Sequence, residues 1–170
     1  MDAAARTVYR RVWLPDRDRN ACTEALEADD AKTILSYLRK YHYASRTHAL
    51  MTLLWHTGVR TGTARGLDVE DLDSERDRLQ IRHRPETDTP LKNAENAERY
   101  VALSEEVSDV LAAYIEEHRH NVTDDYDRVP LFTTNRGRPA KNSIRRNIYP
   151  ATRPCATGRD CHHGKEPETC

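Results

Sequence analysis

The chain has 170 residues, a length typical of one domain with a buried core. Hydrophobic residues make up 37% and charged residues 32%, and with a single Phe the core must be mainly aliphatic. No apolar run approaches the length that crosses a bilayer, and the N-terminus lacks the apolar segment of a secretory signal, so we expect a cytoplasmic protein with no membrane partner. The net charge of −1 neither favours nor excludes a nucleic-acid partner.

Hydrophobic periodicity begins after residues 1–27, which are polar and predict a linker or arm. The first helical pattern follows the acidic sequence EADD, so Asp29 or Asp30 is expected at its N-cap, where a carboxylate accepts backbone N–H bonds. The apolar positions of this helix are Ala31, Ile34, Leu35, Leu38 and Tyr41. We therefore predict an amphipathic first helix that buries one face.

A second helix is predicted between Ser45, which can cap its start, and Gly58, which can end it in the left-handed conformation. Its sequence is apolar on nearly every side, with Trp55 included, so we expect it to lie at the centre of the domain. A short third helix is predicted for residues 61–67.

Two strands with alternating apolar residues follow, one with Leu79 and Ile81 and one with Val101 and Leu103 on the inner face. A polar, hairpin-like connection, PETDTPLKNAENAE, lies between them and contains Lys92. We expect the two strands to belong to a small antiparallel sheet.

Ser104 is placed to cap the most regular helical pattern of the chain. The apolar face of that helix consists of Val107, Val110, Leu111, Tyr114 and Ile115. A short extended piece, VPLFTT, and a short basic helix, KNSIRRNIY, come next. These elements predict a mainly α fold with a small antiparallel β-sheet, of the α+β class, in which the sheet packs on one side of a helical cluster.

Cations are concentrated towards the C-terminus, whereas acids are concentrated in earlier stretches such as EALEADD and DVEDLDSERD. Residues 128–153 include no Asp or Glu, and their cations are Arg128, Arg136, Arg138, Lys141, Arg145, Arg146 and Arg153. Such a segment can present a basic face to phosphates, or it can simply keep an Arg-rich loop and helix solvated. Composition alone leaves both interpretations open.

The tail, residues 151–170, lacks hydrophobic periodicity. Its four expected metal ligands are Cys155, Cys161, His163 and Cys170. Three thiolates and one imidazole form a closed tetrahedral set for structural zinc, and His162 is an alternative ligand. The spacing matches no standard zinc finger, and the other interpretations are disulfides or unpaired cysteines in a tail without structure.

The segment LLWHTGVRTGTARGLDVEDLD, residues 53–73, resembles the first conserved box of the tyrosine recombinase (phage integrase) family: an apolar helix, Thr-Gly-x-Arg, a Leu and an acidic pair. The resemblance continues through the lysine-bearing connection and ERYVALS, and covers about residues 28–150. The sequences of the segment HRPETDTPLKNAENAER and of the tail are similar to those of integrase-like proteins of halophilic archaea. The resemblance implies a recombinase catalytic domain, truncated before its second catalytic box.

The resemblance assigns catalytic roles to two residues. Arg60 matches the arginine that grips the scissile phosphate, and a guanidinium can fork onto two of its oxygens. Lys92 matches the hairpin lysine proposed to protonate the departing 5′ oxygen. The other interpretations are a salt bridge from Arg60 to Asp68 or Asp71, and a solvated turn for Lys92. Thr63 stands where the family usually has an acid.

The resemblance also implies double-stranded DNA as the partner, with self-association on DNA in the full-length protein. The cations expected to contact DNA are Arg99, Arg136, Arg138, Lys141, Arg145 and Arg146. For Arg99, at the start of a strand, the alternative is that it only flanks the sheet edge.

The rest of the family's active site is not found in this sequence, since no histidine has an arginine three residues later and no tyrosine follows such a motif. We therefore expect the DNA-binding part of a site-specific recombinase, inactive by itself. The intact enzyme cleaves and rejoins DNA through a 3′-phosphotyrosine and needs no catalytic cofactor. The alternatives are a non-catalytic DNA-binding regulator or relic of an integrase, and a zinc-stabilised protein-interaction domain.

Overall fold

A computed structural model describes residues 26–157, apart from the side chains of Pro154 and Cys155. The helices are α1 (Ala28–Tyr41), α2 (Arg46–Thr57), α3 (Thr61–Gly66), α4 (Glu105–Glu117) and α5 (Lys141–Ala151). The strands are β1 (Leu72–Asp73), β2 (Arg78–Ile81) and β3 (Arg99–Ala102). Short 3-10 turns occupy Val69–Asp71, Pro85–Thr87, Ala94–Ala97 and Pro154–Thr157. The predicted mainly α fold with a small antiparallel sheet is confirmed.

The predicted arm (1–27) and tail (151–170) lie mostly outside the described residues, and both assignments stay predictions. None of the helices between residues 26 and 157 is long and apolar enough to cross a membrane.

Helix α1 begins earlier than the acidic cap predicts. It starts at Ala28, so Glu27 occupies the N-cap position, while Asp29 and Asp30 lie inside the first turn. The prediction of an aspartate N-cap is therefore wrong, although negative charge in the first turn still suits the helix dipole.

The apolar face of α1 is narrower than the periodicity indicates. Ala31, Ile34 and Leu38 are buried, whereas Tyr41 at the end of the helix is 59% exposed. The prediction that Tyr41 belongs to the buried face is wrong, because its ring lies against Tyr37 and Lys40 of its own helix and not in the cluster that Ile34 and Leu38 form with Met51 of α2.

Helix α2 occupies the centre, as predicted. The Ser45 side chain accepts a hydrogen bond from the backbone N–H of His48, and Gly58 ends the helix at a φ of 62°. Six consecutive residues, His48–Leu53, are buried, and α2 packs against α1, α3, α4 and α5. Trp55, one of the apolar residues of this helix, is nevertheless 41% exposed.

The three strands form one antiparallel sheet in the order β1-β2-β3. Leu79 pairs with Val101 across the sheet, and Leu79 and Ile81 are buried in the main hydrophobic core. Val107 and Leu111 of α4 belong to the same core, and each fully buried aliphatic side chain contributes roughly 1.5–3 kcal/mol. The sheet therefore covers one side of the helical cluster, as predicted.

The segment VPLFTT is extended but does not form a strand of the sheet. Its backbone instead pairs with the chain that follows α3: the N–H of Val69 donates to the carbonyl of Val129, and the N–H of Leu131 to that of Leu67. Phe132 is buried and stacks on Tyr114 with ring centroids 5.6 Å apart. This pairing holds the loops before α5 against the C-terminal end of α3.

Candidate nucleic-acid interface

Arg60 lies at the N-cap position of α3 and is exposed. The turn before it depends on Gly58, whose positive φ favours glycine, and on Val59, whose side chain is buried. Among residues 26–157, the Arg60 side chain has no hydrogen-bond or ion-pair partner. The fold therefore anchors the backbone at this position and leaves the guanidinium available to a ligand.

The acids expected to compete for Arg60 are paired with other arginines. Asp68 Oδ2 lies 2.6 Å from Arg128 Nη2, and Asp71 Oδ1 lies 2.8 Å from Arg84 Nη2. The alternative interpretation of Arg60, a salt bridge to Asp68 or Asp71, is therefore wrong.

These two aspartates belong to a largely buried group that we call the arginine–aspartate cluster. Its members are Asp68, Asp71, Asp124, Arg84, Arg128 and Arg138. The cluster joins the chain after α3 to the β2–β3 connection and to the loops between α4 and α5.

Arg138 lies inside this cluster and not on the surface. Its Nη2 is 2.5 Å from Asp68 Oδ1 and its Nε is 2.7 Å from Asp124 Oδ2, and its side chain is only 5% exposed. It also donates to the backbone carbonyls of Arg65 and Leu67. This placement corrects the expectation that Arg138 contacts DNA, since its hydrogen-bonding groups already serve the protein interior.

Opposite charges in the cluster shift the pKa values of their partners. Burial alone would lower the pKa of Arg84, but hydrogen bonds and the charge of Asp71, followed by the charges of Asp68 and Glu70, raise it above its usual value. Burial alone would raise the pKa of Asp124, but the hydrogen bond from Arg138 and backbone N–H donors lower it. The ionised forms are therefore favoured on both sides of the cluster.

The predicted basic helix is present as α5 and packs against α2 and α3. Ile144 is buried in the main core and fixes one face of the helix. Lys141, Arg145 and Arg146 are exposed. Helix α5 therefore presents cations to solvent and packs beside α3, the helix that follows Arg60.

Arg136 lies at the tip of a tight turn between Thr134 and Gly137 and is exposed. Gly137 has a φ of 105°, and a Cβ at this position would meet the carbonyl oxygen of Thr123 at 2.7 Å. Glycine is required here on both counts, so the turn that carries Arg136 is closely defined.

Lys92 lies in the β2–β3 connection, as predicted, and is exposed. The preceding Leu91 is buried, and its N–H donates to His83 Nδ1 at 2.9 Å. Arg99 begins β3, is also exposed, and donates to the carbonyl of Ala97. The backbone that carries Lys92 is thus held by the core, although the side chain is solvated.

Those of the predicted site residues that are exposed form what we call the cationic set: Arg60, Lys92, Arg99, Arg136, Lys141, Arg145 and Arg146. Contacts of α3 bring together the β2–β3 connection, which carries Lys92, and the start of α5, which carries Lys141. A Cβ at Gly66 would lie 3.4 Å from Thr89 Cβ in the β2–β3 connection, and Arg65 hydrogen-bonds to both Asp88 and Pro139. Arg65 was not among the predicted site residues, and Arg128, one of the cations of the predicted basic segment, is an internal ion-pair partner of Asp68.

The predicted zinc ligands are not tested by this structure. Cys155 lies in the 3-10 turn Pro154–Thr157, while Cys161, His163 and Cys170 lie outside the described residues. Between residues 26 and 157, no group of three or more His, Cys, Asp or Glu could hold a metal ion.

Comparison with known proteins assigns most of the chain to one family. Residues 24–154 match the model of the phage integrase family. No curated protein matches the chain.

Two solved structures share the fold. The crystal structure of XerA recombinase is 23% identical, and the match covers 86% of this chain and 46% of that one with a TM-score of 0.60. The Tn1549 transposon integrase, solved in complex with transposon right end DNA, is 19% identical, and the match covers 75% of this chain and 45% of that one with a TM-score of 0.54. The match therefore spans less than half the length of each of these two structures.

Proposed function

The chain belongs to the phage integrase family, and from that premise we propose that it is the DNA-contacting part of a site-specific tyrosine recombinase. In the intact enzyme, a tyrosine oxygen attacks the scissile phosphorus, the 5′ oxygen leaves, and the 3′ phosphate stays bonded to the tyrosine until the strand is rejoined. The phosphodiester bond is exchanged and not hydrolysed, so neither ATP nor a catalytic metal is needed.

The observation that carries this proposal is the exposed guanidinium of Arg60 at the start of α3, a helix that packs against α5 with its exposed cations. Internal acids do not compete for Arg60, because Asp68 and Asp71 are paired with other arginines. A phosphate has the charge and the paired oxygens that a planar guanidinium binds best. Arg60 would hold the non-bridging oxygens and stabilise the negative charge that develops during displacement.

Lys92 is proposed as the general acid. Lys92 is exposed, and the preceding residue, Leu91, is buried in the core. The backbone at Lys92 is therefore held in place, and its ammonium group can reach a bound DNA strand. A lysine can donate a proton to the departing 5′ oxygen, whereas an arginine holds its proton too tightly.

We propose that this chain binds double-stranded DNA but does not cleave it alone, and that the full-length protein self-associates on DNA. The sequence offers no His-x-x-Arg motif with a following tyrosine, although the chemistry requires a second arginine and a nucleophile. The same observation favours a second candidate function, a DNA-binding regulator that occupies recombination sites without reaction.

Duplex binding tests the proposal most directly. Fluorescence anisotropy with a short labelled duplex should show binding that weakens steeply with salt, because phosphate contacts release counterions. Arg60→Ala and Lys92→Ala should each weaken binding by about threefold to tenfold, in the range of one lost charge contact. Arg76→Ala, at an exposed cation in the β1–β2 turn, is the matched control and should leave affinity unchanged.

Absence of duplex binding at low salt would contradict both DNA-binding candidates and favour a protein-interaction domain. If binding is found, a DNA substrate with a nick near the exchange point separates the two candidates. Addition of a family fragment that carries the missing boxes should restore cleavage that Arg60→Ala abolishes, whereas a regulator gives no cleavage under these conditions.

We also propose a structural zinc ion bound by Cys155, Cys161, His163 and Cys170. The donor set itself supports this, because three thiolates and an imidazole suit tetrahedral zinc. Protein purified without chelator should contain about one zinc per chain, and the quadruple Cys/His→Ser variant should contain none. Well under one equivalent, unchanged after refolding with zinc, would contradict this site.

A further inference from the structure

Arg65 lies in the last turn of α3, and its single guanidinium joins three parts of the molecule. Nη1 donates to the backbone carbonyl of Asp88 at 2.7 Å, and Nη2 donates to the carboxylate Oδ2 of the same residue at 3.0 Å. Nε donates to the carbonyl of Pro139 at 3.0 Å. The Arg65 side chain is only 13% exposed and its bond to Pro139 is part-buried, whereas the Asp88 carboxylate is 63% exposed.

Two of these bonds, those from Nη1 and Nη2 to Asp88, fix the connection that carries Lys92. Asp88 ends the turn Pro85–Thr87 in the left-handed conformation, with a φ of 55°, and presents its carbonyl and its carboxylate to the same guanidinium. Lys92 lies four positions after Asp88, and the intervening Leu91 is buried. Lys92 is therefore held between an anchored Leu91 on one side and the Arg65 contact a few residues upstream.

The bond from Nε fixes the start of the basic helix in the same way. Pro139 directly precedes Ala140, the N-cap residue of α5, and Lys141 is the first residue of that helix. The helix that carries Arg65 itself begins after Arg60. One side chain therefore ties together the elements that carry Arg60, Lys92 and Lys141.

The geometry of this junction requires arginine. Its planar fork offers five N–H donors in fixed directions, and three of them are used here on two different loops. A lysine at this position would keep the positive charge but could not span both loops.

We propose that Arg65 is a positioning residue that holds Lys92 and the N-terminus of α5 at a defined separation from Arg60, so that these cations meet the DNA backbone together. The inference rests on the proposed function. A purely structural role for Arg65 would lower stability but would leave each cation to contribute independently to DNA affinity. A positioning role makes the contribution of Lys92 depend on Arg65.

A double-mutant cycle on duplex affinity tests this dependence. Arg65→Met, Lys92→Ala and the double variant are compared in the full 170-residue chain, with a short labelled duplex of fixed sequence. Lys92→Ala should weaken binding about fivefold in the parent but less than twofold in the Arg65→Met background, because contacting or shared-network residues are not additive. Arg65→Lys should resemble Arg65→Met in this respect, since it lacks the fork.

Arg76→Met is the matched control, because it also removes an arginine that pairs with one aspartate, Asp73. In that background Lys92→Ala should keep its full effect. If Lys92→Ala also keeps its full effect beside Arg65→Met, the positioning role is overturned while the proposed function stands.

If neither Arg60→Ala nor Lys92→Ala changes the affinity for the duplex, the proposed function itself is overturned, and the inference with it. Should Arg65→Met fail to fold, Asp88→Gly replaces it in the cycle. Glycine keeps the left-handed backbone and the carbonyl acceptor but removes the carboxylate. Asp88→Gly should reduce the effect of Lys92→Ala, and complete additivity would again overturn the positioning role.

Discussion

The arginine–aspartate cluster and the outer face of α5 use the same residue type for opposite purposes. Arg138 and Arg145 lie seven residues apart in one acid-free stretch, yet Arg138 contacts two aspartates in the interior while Arg145 is exposed. The difference shows that a run of cations in a sequence is not one surface. Distant acids remove some of its members from the surface and leave the others for a ligand.

The cluster also has a consequence for the proposed site. Because Arg84, Arg128 and Arg138 satisfy the buried aspartates, Arg60 has no acid to bind within the described part of the chain. The internal arginines thus keep the exposed one available for phosphate. Removing members of each group should separate loss of stability from loss of DNA affinity.

The largest effect is expected at Asp68, whose carboxylate lies near three arginines. Asp68→Asn leaves those buried cations without their shared anion, and we expect the free energy of unfolding to fall by about 4–5 kcal/mol. Urea unfolding followed by circular dichroism measures this change. Asp73→Asn, at a more exposed carboxylate paired with Arg76 and Arg78, should cost clearly less. Equal losses for the two variants would mean that the cluster is not shielded from water.

The second effect contrasts two arginines that were both expected to contact DNA. Arg138→Met breaks buried pairs with Asp68 and Asp124 and should lower the free energy of unfolding by about 3 kcal/mol. Arg136→Met, on the exposed turn, should change it by less than about 0.5 kcal/mol but should weaken duplex binding. Thermal unfolding and anisotropy on the same two variants give both readouts. An Arg138→Met protein that is as stable as its parent would show that the buried ion pairs of Arg138 do not stabilise the fold.

The third effect concerns α5 alone. Arg145→Ala with Arg146→Ala should leave stability nearly unchanged, because both side chains are exposed. The slope of log K against log salt should become shallower by roughly 2, about 0.9 for each lost phosphate contact. A parallel double variant, Lys32→Ala with Arg76→Ala, removes the same charge away from α5 and should keep the parent slope. Identical slopes in the two double variants would place the DNA elsewhere on the molecule.

The smallest effect is a pH dependence from Asp124. Its pKa is lowered below the ordinary value of 3.8 in the folded state: burial opposes this shift, but the hydrogen bond and charge of Arg138 together with two backbone N–H donors outweigh burial. The unfolded chain therefore binds more protons in this range, so the stabilisation is present above the unfolded pKa and is lost as pH falls through the folded pKa. Urea midpoints between about pH 5 and about pH 3 should fall less steeply for Asp124→Asn than for the parent. Parallel curves would show that this pair does not contribute to acid unfolding.

Much of the fold could be predicted from local rules. Ser45 and Ser104 cap helices and Gly58 ends one, because a hydroxyl beside free N–H groups and a residue without Cβ act through their immediate neighbours. Burial at the ends of helices was harder to predict. Periodicity identifies the apolar face of α1 and α2, but only the folded chain shows that Tyr41 and Trp55 stay exposed, at 59% and 41%.

Residues close together in the chain are enough to predict the order of helices and strands, the place of Arg60 after a left-handed glycine, and the Lys92-bearing connection. Which cations are free depends instead on contacts between distant parts of the chain. Arg138 meets Asp68 across 70 residues, and Arg65 meets Asp88 and Pro139 across 23 and 74. Charge pairing depends on distance in space, and no local pattern shows which of several arginines a folded chain brings to a buried carboxylate.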